Sequence, residues 1–282
     1  MSEKKTISKD LVGMTFPTVD VEWSDKDAML YALGVGARPV DGLDFIYEGR
    51  GPKVLPTYAV IPGGRGLAGL MSGVEMKLEM LLHGEQSVEL LRPLPSSAKI
   101  KVTGRVSEVW DKGKAAVIGV ESTGSDEKGP LFKTHATLFV RDAGGFGGER
   151  GPSGVDSAPP ARTPDAVAED VTRPEQGAIY RLSGDRNPIH IDPDFAKLGG
   201  FEKPFVHGLC TYGFVGRAVL SELCGNDPAR FKSLRGRFAA QVHFGDTIIT
   251  KMWKAGDGIA IVQAETQNGN VVLSQARATY KS

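Results

Sequence analysis

At 282 residues the chain is long enough for roughly two domains of about 150 residues each. Its 34 Lys and Arg balance its 34 Asp and Glu, so no overall field draws it to nucleic acid or a membrane surface, and a polyanionic ligand would need a local basic pocket. No stretch approaches the roughly 20 apolar residues of a membrane span, and Cys210 and Cys224 read as buried helix thiols rather than a disulfide or metal pair.

The start, Met-Ser-Glu-Lys-Lys, leads into polar sequence without an apolar signal core, and the last four residues, Thr-Tyr-Lys-Ser, are not a Ser-Lys-Leu address. A soluble, cytoplasmic protein is therefore expected. Residues 1–24 form an approach segment whose Val19–Trp23 alternates like a strand. Ser24 or Asp25 caps a helix over 26–33 that stops at Gly34 and Gly36. Residues 37–74, rich in Gly and Pro, are expected to be irregular. Strands follow over 86–91, 98–110, 114–122 and 131–141, with turns at Asp111-Lys112-Gly113 and Gly124-Ser125-Asp126. The first domain spans 1–142, a Gly/Pro-rich linker spans 143–164, and the second domain spans 165–282.

The second half repeats the first. Ala28-Met-Leu-Tyr-Ala-Leu33 parallels Gly177-Ala-Ile-Tyr-Arg-Leu182, and Trp110-Asp-Lys-Gly113 parallels Trp253-Lys-Ala-Gly256, each followed by an apolar strand. Each half is a helical region and then a run of antiparallel strands, an α+β plan in which a helix buries its apolar stripe in a curled sheet. Leu209, Tyr212, Val215, Val219, Leu220 and Leu223 supply that stripe in the second half. In the first, residues 59–73 are interrupted by Pro62 and several glycines. An interior glycine costs roughly 1 kcal/mol in a helix and proline about 3, so no full central helix is expected there.

Between the helical region and the strands of the second half lies Tyr180-Arg-Leu-Ser-Gly-Asp-Arg-Asn-Pro-Ile-His190. It packs an acid, an amide and an imidazole into six residues beside a proline. Asn187 before Pro188 is also an ordinary turn or helix cap, and Asp192-Pro193 repeats that grammar ahead of a short helix to Leu198. On spacing alone, acid/base chemistry and a purely structural turn both stand.

With Ala196 beyond it, this stretch resembles the signature of the hydratase 2 (MaoC-like) family of (R)-specific enoyl-CoA hydratases. Leu82-His-Gly-Glu-Gln86, Gly144-Gly-Phe-Gly-Gly148, Lys203-Pro-Phe-Val-His-Gly-Leu-Cys-Thr211 and Arg237-Phe-Ala239 extend the likeness, in particular to the hydratase 2 part of multifunctional enzymes type 2. The resemblance implies a double hot-dog fold with the first central helix degenerate. It also implies hydration of a trans-2-enoyl-CoA to the (3R)-3-hydroxyacyl-CoA in fatty acid or related acyl-CoA metabolism, including β-oxidation. No cofactor is implied, since coenzyme A belongs to the substrate, and a homodimer is the family's habit. A dehydratase acting on an acyl-carrier-protein thioester, a non-catalytic acyl-thioester-binding subunit and a thioesterase are the rival readings.

The same resemblance distributes roles. His190 activates the water and Asp185 exchanges the proton with C2, the two forming one coupled pair, while Asn187 helps hold water and substrate. The backbone N–H of Gly208, just before a helix, becomes the oxyanion donor. His83, Gly84, Lys112, Arg186, Pro188, Ile189 and Phe238 fall at substrate-contacting positions. His207 is expected to be a packed or hydrogen-bonded neighbour, and His135 and His243 to be structural. No grouping has zinc-site spacing, so no metal is expected. Aligned on Tyr31 and Tyr180, the first half carries Gly36, Arg38 and Asp41 where the second carries Asp185, Asn187 and His190, which implies one active site per chain. The acyl tail is expected in the half that has lost its helix, in a tunnel lined by Leu67, Leu70 and Met71, with medium- or long-chain substrates as the consequence. The alternative is that these residues fill the gap themselves.

Overall fold

The computed structural model describes residues 4–77, 80–152 and 157–282. Residues 1–3 of the approach segment and 153–156 of the predicted linker lie outside the described residues.

The first half runs β1 (Val19–Trp23), α1 (Asp25–Gly34), α2 (Pro39–Ile46), α3 (Val60–Gly64), α4 (Ala68–Gly73), β2 (Leu81–Leu90), β3 (Ala98–Asp111), β4 (Ala115–Asp126) and β5 (Gly129–Arg141). The second runs β6 (Ala166–Val171), α5 (Gln176–Tyr180), α6 (Pro193–Leu198), α7 (Gly208–Cys224), β7 (Phe231–Phe238), β8 (Thr247–Gly256), β9 (Ile259–Thr266) and β10 (Val271–Tyr280). All the strands join one sheet in the order β1-β3-β4-β5-β2-β7-β10-β9-β8-β6, and every pairing is antiparallel. Read inward from either edge the order is the same, so a pseudo-two-fold axis passes between β2 and β7, near the pair Ser87 and Arg235. This is the double hot-dog: the repeat in sequence is the repeat in space.

Local chemistry fixes the ends of the elements. Ser24 and Asp27 form a reciprocal capping box that starts α1, satisfying donors that the first turn of a helix leaves unpaired. Asp192 accepts from the N–H groups of Asp194 and Phe195 and starts α6, with Pro193 at its first position. The predicted strand at 86 begins earlier, at Leu81, because a bulge hides its alternation. His83 faces Leu138 and Glu85 faces Thr137, leaving Gly84 unpaired between them.

α7 is the long central helix of the second half, buried on nearly every face and wrapped by the sheet. Its first-half counterpart is different, and two expectations are corrected here. Residues 37–74 are not irregular: α2 starts at Pro39, whose ring suits a first helical position. Nor is the concave face of the first-half sheet left empty. Short 3-10 turns (Pro56–Ala59 and Arg65–Leu67) alternate with α3 and α4 and lie directly on the strands. A side chain at Gly66 would strike Ser122, and one at Gly104 would strike the Gly66 carbonyl, so backbone rests on backbone. Leu70 is fully buried with Val74, Val106 and Ile118 in a second core, and Leu67 packs against it. These residues fill the volume instead of lining a tunnel.

Candidate active site

The signature folds as consecutive tight turns. After α5 comes a 3-10 turn, Arg181–Ser183, and then Gly184 at φ 139, a conformation that side chains disfavour. Asp185 Oδ1 accepts from the Asn187 N–H at 3.1 Å, and Asn187 Oδ1 accepts from the Ile189 N–H at 3.2 Å. Asn187 thereby caps the 3-10 turn Pro188–His190. Its oxygen is engaged by the turn, and its amide N–H groups remain for water or ligand. The two caps turn the His190 ring inward, to 9% exposure.

The tautomer of His190 follows from its neighbour. Nδ1 lies 2.9 Å from the Phe205 carbonyl, which can only accept, so Nδ1 carries the proton and Nε2 is bare. Burial pushes the His190 pKa down, against the opposing pulls of the Phe205 carbonyl and the Asp185 carboxylate. At neutral pH the ring is therefore an uncharged base. His207 stacks on it, ring centres 3.9 Å apart and planes 29° from parallel, and donates from Nε2 to the Asp185 carbonyl at 3.2 Å. Burial and the nearby His190 bring His207 down to about 4.

Asp185, His190 and His207 each place a ligand-type atom within 4.8 Å of the others. The stack does not suit a metal, because the in-plane lone pairs of two nearly parallel rings run side by side rather than converging on a tetrahedral centre.

Across the seam, the first half supplies the opposite wall. The His83 Nε2 donates to the Glu85 carbonyl at 3.1 Å, and its ring meets Phe238 edge-on at 5.1 Å. Burial lowers its pKa to about 4, and the charge of Asp185 acts on it from the other half. The bulge at Gly84 aims His83, and a side chain there would come within 2.9 Å of Thr137 Oγ1. Phe238 lies 3.4 Å from where a side chain at Gly208 would begin. Gly208 opens α7, and among the described residues its N–H donates to no backbone group. Asp185, Asn187, His190, Gly208, His83, Gly84 and Phe238 thus gather at one place, the seam between the halves.

The other predicted contacts stand further out. Arg186 is exposed on the turn, Pro188 sets the backbone, and Ile189 packs toward Gly199. Lys112 donates to the carbonyls of Arg150 and, at 3.5 Å, Pro152. Beside it, Asp111 accepts from the N–H groups of Gly113, Gly145 and Gly147 and pins the glycine-rich loop to the end of β3. The register Ala115–Arg141 and Val140–Leu81 puts this turn at the same sheet end as His83, roughly 10–14 Å away at two to three strand spacings. Arg237 is neutralised by Glu85 at 2.6 Å, so it adds no free charge. Sequence reasoning missed the Phe205 carbonyl, while His207, expected as a packed or hydrogen-bonded neighbour, is both. Both sit in the segment ahead of α7.

The pseudo-symmetric position is built differently, around a cavity of about 240 Å³ lined by Gly36, Arg38 and Asp170. Tyr31 and Tyr180 meet near the axis, ring centres 6.0 Å apart and fully buried. Gly36 lies under the Phe214 ring, Arg38 pairs with Asp41, and Arg217 from α7 pairs with Asp170.

Known proteins resemble both halves of the chain. Residues 21–142 match the model of the MFE-2 hydratase 2 N-terminal domain, and residues 156–276 match that of the MaoC like domain. Peroxisomal multifunctional enzyme type 2 of Mus musculus is 42% identical over 275 residues, covering 94% of this chain and 37% of that enzyme. The chain thus spans well under half the length of that relative. Probable enoyl-CoA hydratase 2 of Dictyostelium discoideum is 39% identical over 280 residues, covering 96% of this chain and 95% of the relative. The crystal structure of a MaoC-like dehydratase from Phytophthora capsici superposes with a TM-score of 0.86 at 32% identity, covering 98% of each chain. With both halves matched, and with a relative of nearly equal length, the chain belongs to the MaoC-like hydratase 2 family.

Proposed function

We propose that the protein is an (R)-specific 2-enoyl-CoA hydratase. The observation that carries this is the buried, neutral His190, its Nε2 bare, beside Asp185 and opposite an unengaged N–H at Gly208. The water oxygen bonds C3 as its proton passes to the His190–Asp185 pair, and one proton from the pair reaches C2 through Asp185. The pair returns to its starting charge, so no cofactor is needed. Charge that builds on the thioester oxygen meets the Gly208 N–H at the helix N-terminus. The name of the Dictyostelium relative, matched along nearly its whole length, supports the same activity.

The layout also suggests how the substrate lies. In this reading Lys112, at the sheet end, meets the phosphates of coenzyme A, and Arg186, Pro188, Ile189 and Phe238 contact the rest of the substrate. A cavity of about 140 Å³ lies beside Leu182 and Ser183, lined by Val21, Leu30, Tyr58, Ile61 and Pro62 together with the polar Glu22, Asp27 and Arg65. It is our candidate for the acyl tail, favouring medium or longer chains. The same reading includes a homodimer.

The test is turnover on enoyl-CoAs of graded length, with product stereochemistry resolved. His190→Ala and Asp185→Asn should each lower kcat by about 10²–10⁴-fold in folded protein, since both lie in a turn rather than a core. Near-wild-type turnover in either variant refutes the assignment, and an (S)-product refutes the stereochemistry. The Phytophthora neighbour, named a dehydratase, favours the reverse reaction as a second reading, to which we add an acyl-carrier-protein thioester as the substrate. A higher kcat/KM for the carrier-bound 3-hydroxyacyl substrate than for the CoA ester would establish it.

A further inference from the structure

We propose that His207 is a positioning residue for hydration: it holds the face of the His190 ring and the backbone of Asp185 in register with the N-terminus of α7. The proposal deepens the reading above and rests on its assignment of His190 and Asp185.

The first observation is an unfavourable burial with no structural gain of its own. His207 is 1% exposed, and its buried Nδ1 has no hydrogen-bond partner among the described residues. An unpartnered buried acceptor is destabilising, and a phenylalanine of similar shape would fill the space without it. The role of the imidazole therefore lies in the other nitrogen, and that nitrogen donates to the carbonyl of Asp185 at 3.2 Å. The bond fixes the tautomer, with Nε2 protonated and Nδ1 bare. It also holds the residue that bears the acid by its backbone rather than through its carboxylate.

Ring geometry adds a second link. His207 lies on the face of His190 at 3.9 Å, and Tyr180 covers His207 in turn at 4.9 Å. The edges of His190 are left for the Phe205 carbonyl on one side and for water on the other. When His190 takes a proton from water it becomes a cation, and the ring on its face must stay neutral. Burial and the proximity of His190 both keep His207 uncharged. The charged and titratable groups around the two rings are Asp185 in the same turn and Arg181 at the end of α5, with His83 reaching the same carboxylate from β2.

The chain itself is the third link. The His207 carbonyl accepts from the N–H groups of Cys210 and Thr211 at 3.0 and 3.1 Å, so this residue caps α7. The next residue is Gly208. Any shift of the His207 ring therefore moves the base, the acid-bearing turn and the oxyanion donor against one another. Positioning errors of about 1 Å cost on the order of 10²-fold in rate.

Three variants and one measurement on the wild-type protein test this. His207→Phe keeps the stack and removes the donor, while His207→Gln keeps a donor and removes the ring. Each should lower kcat about 10²-fold with KM nearly unchanged. His207→Ala admits water against His190, so the acid limb of kcat/KM should move up toward the ordinary histidine value of 6.5. Nitrogen-15 NMR of the wild type should find the proton of His207 on Nε2 and that of His190 on Nδ1. Variants with wild-type kcat and an unmoved acid limb overturn the proposal, as does a wild-type His207 protonated on Nδ1. The NMR result decides the matter if the variants fail to fold. An active His190→Ala would instead strike the parent reading, whereas an inactive His190→Ala beside fully active His207 variants strikes this proposal alone.

Discussion

Arg217 carries a full charge in the middle of the most buried helix of the protein and is 9% exposed. Its Nε donates to the Val35 carbonyl at 3.2 Å, its guanidinium pairs with Asp170, and Asp41 stands 3.9 Å away. Burial raises the pKa of Asp170 even though Arg217 pulls the other way, so taking this carboxylate out of water outweighs the attraction of its partner. Breaking such a pair is strongly destabilising, whereas replacing it whole is not. Asp170→Ala should lose about 3–5 kcal/mol, because it strands the arginine. The double variant Asp170→Leu with Arg217→Met should lose less than that single change. Urea unfolding checks both, and a double variant as unstable as the single would mean the pair itself is strongly stabilising. Arg217 was not legible in the sequence, where the apolar stripe of α7 left it on an unassigned face. Asp185 and His190 were, since their chemistry lies in one short stretch. The Phe205 carbonyl was not, because it arrives from a separate segment and is a backbone group that every residue carries, and His207 was legible only as a packed or hydrogen-bonded neighbour.

At the scale of elements, residues 56–73 show how a broken helix becomes a lining. Pro62 and the glycines do prevent a continuous helix like α7, as their propensities require. The inference of a vacancy failed because glycine also permits close approach, which propensity does not record. Gly66 and Gly104 bring the Arg65–Leu67 turn onto β3, and Gly69 admits Phe16. Gly104→Val should therefore destabilise by about 1–3 kcal/mol or more through forced overpacking. Gly64 offers the contrast, with φ −59 and nothing near the position of a side chain. Gly64→Ala should stabilise by about 0.4–1 kcal/mol by restricting the unfolded chain. Thermal melts of the two variants should move in opposite directions, and a drop for both would mean the segment tolerates no change at all. The strands were the most legible elements, since alternation marks them, although the turn expected at Gly124-Ser125-Asp126 lies within β4 and the chain turns at 127–128 instead. Their misplaced end at β2 has a single cause, the bulge at Gly84.

On the scale of the whole molecule, the pseudo-two-fold axis poses a question of number: two similar halves offer two similar places for a site. The one in the second half is built from the signature turn, the segment before α7, and His83 from the opposite half. Its mate would lie at Gly36, Arg38 and Asp41, and there α7 itself intrudes. A side chain at Gly36 would run into the Phe214 ring, and Gly36 already holds φ 87, which favours glycine. Arg38 and Asp41 are tied to each other, and Arg217 fills the space behind them against Asp170. The asymmetry therefore goes deeper than three lost residue types: the central helix that completes one half crowds Gly36 in the other, and the cavity of about 240 Å³ beside Gly36, Arg38 and Asp170 holds Arg38 and Asp170, each in an ion pair, in place of an acid beside an imidazole. Titration with a tight-binding product analogue should give one site per chain. The graft Gly36→Asp, Arg38→Asn and Asp41→His, made in a His190→Ala background, should restore no turnover. It should also lower the melting temperature, since the carboxylate side chain introduced in place of Gly36 must displace Phe214. Two equivalent sites in the wild type, or a graft that hydrates enoyl-CoA at a stability close to its parent, would show that the first half retains a working site.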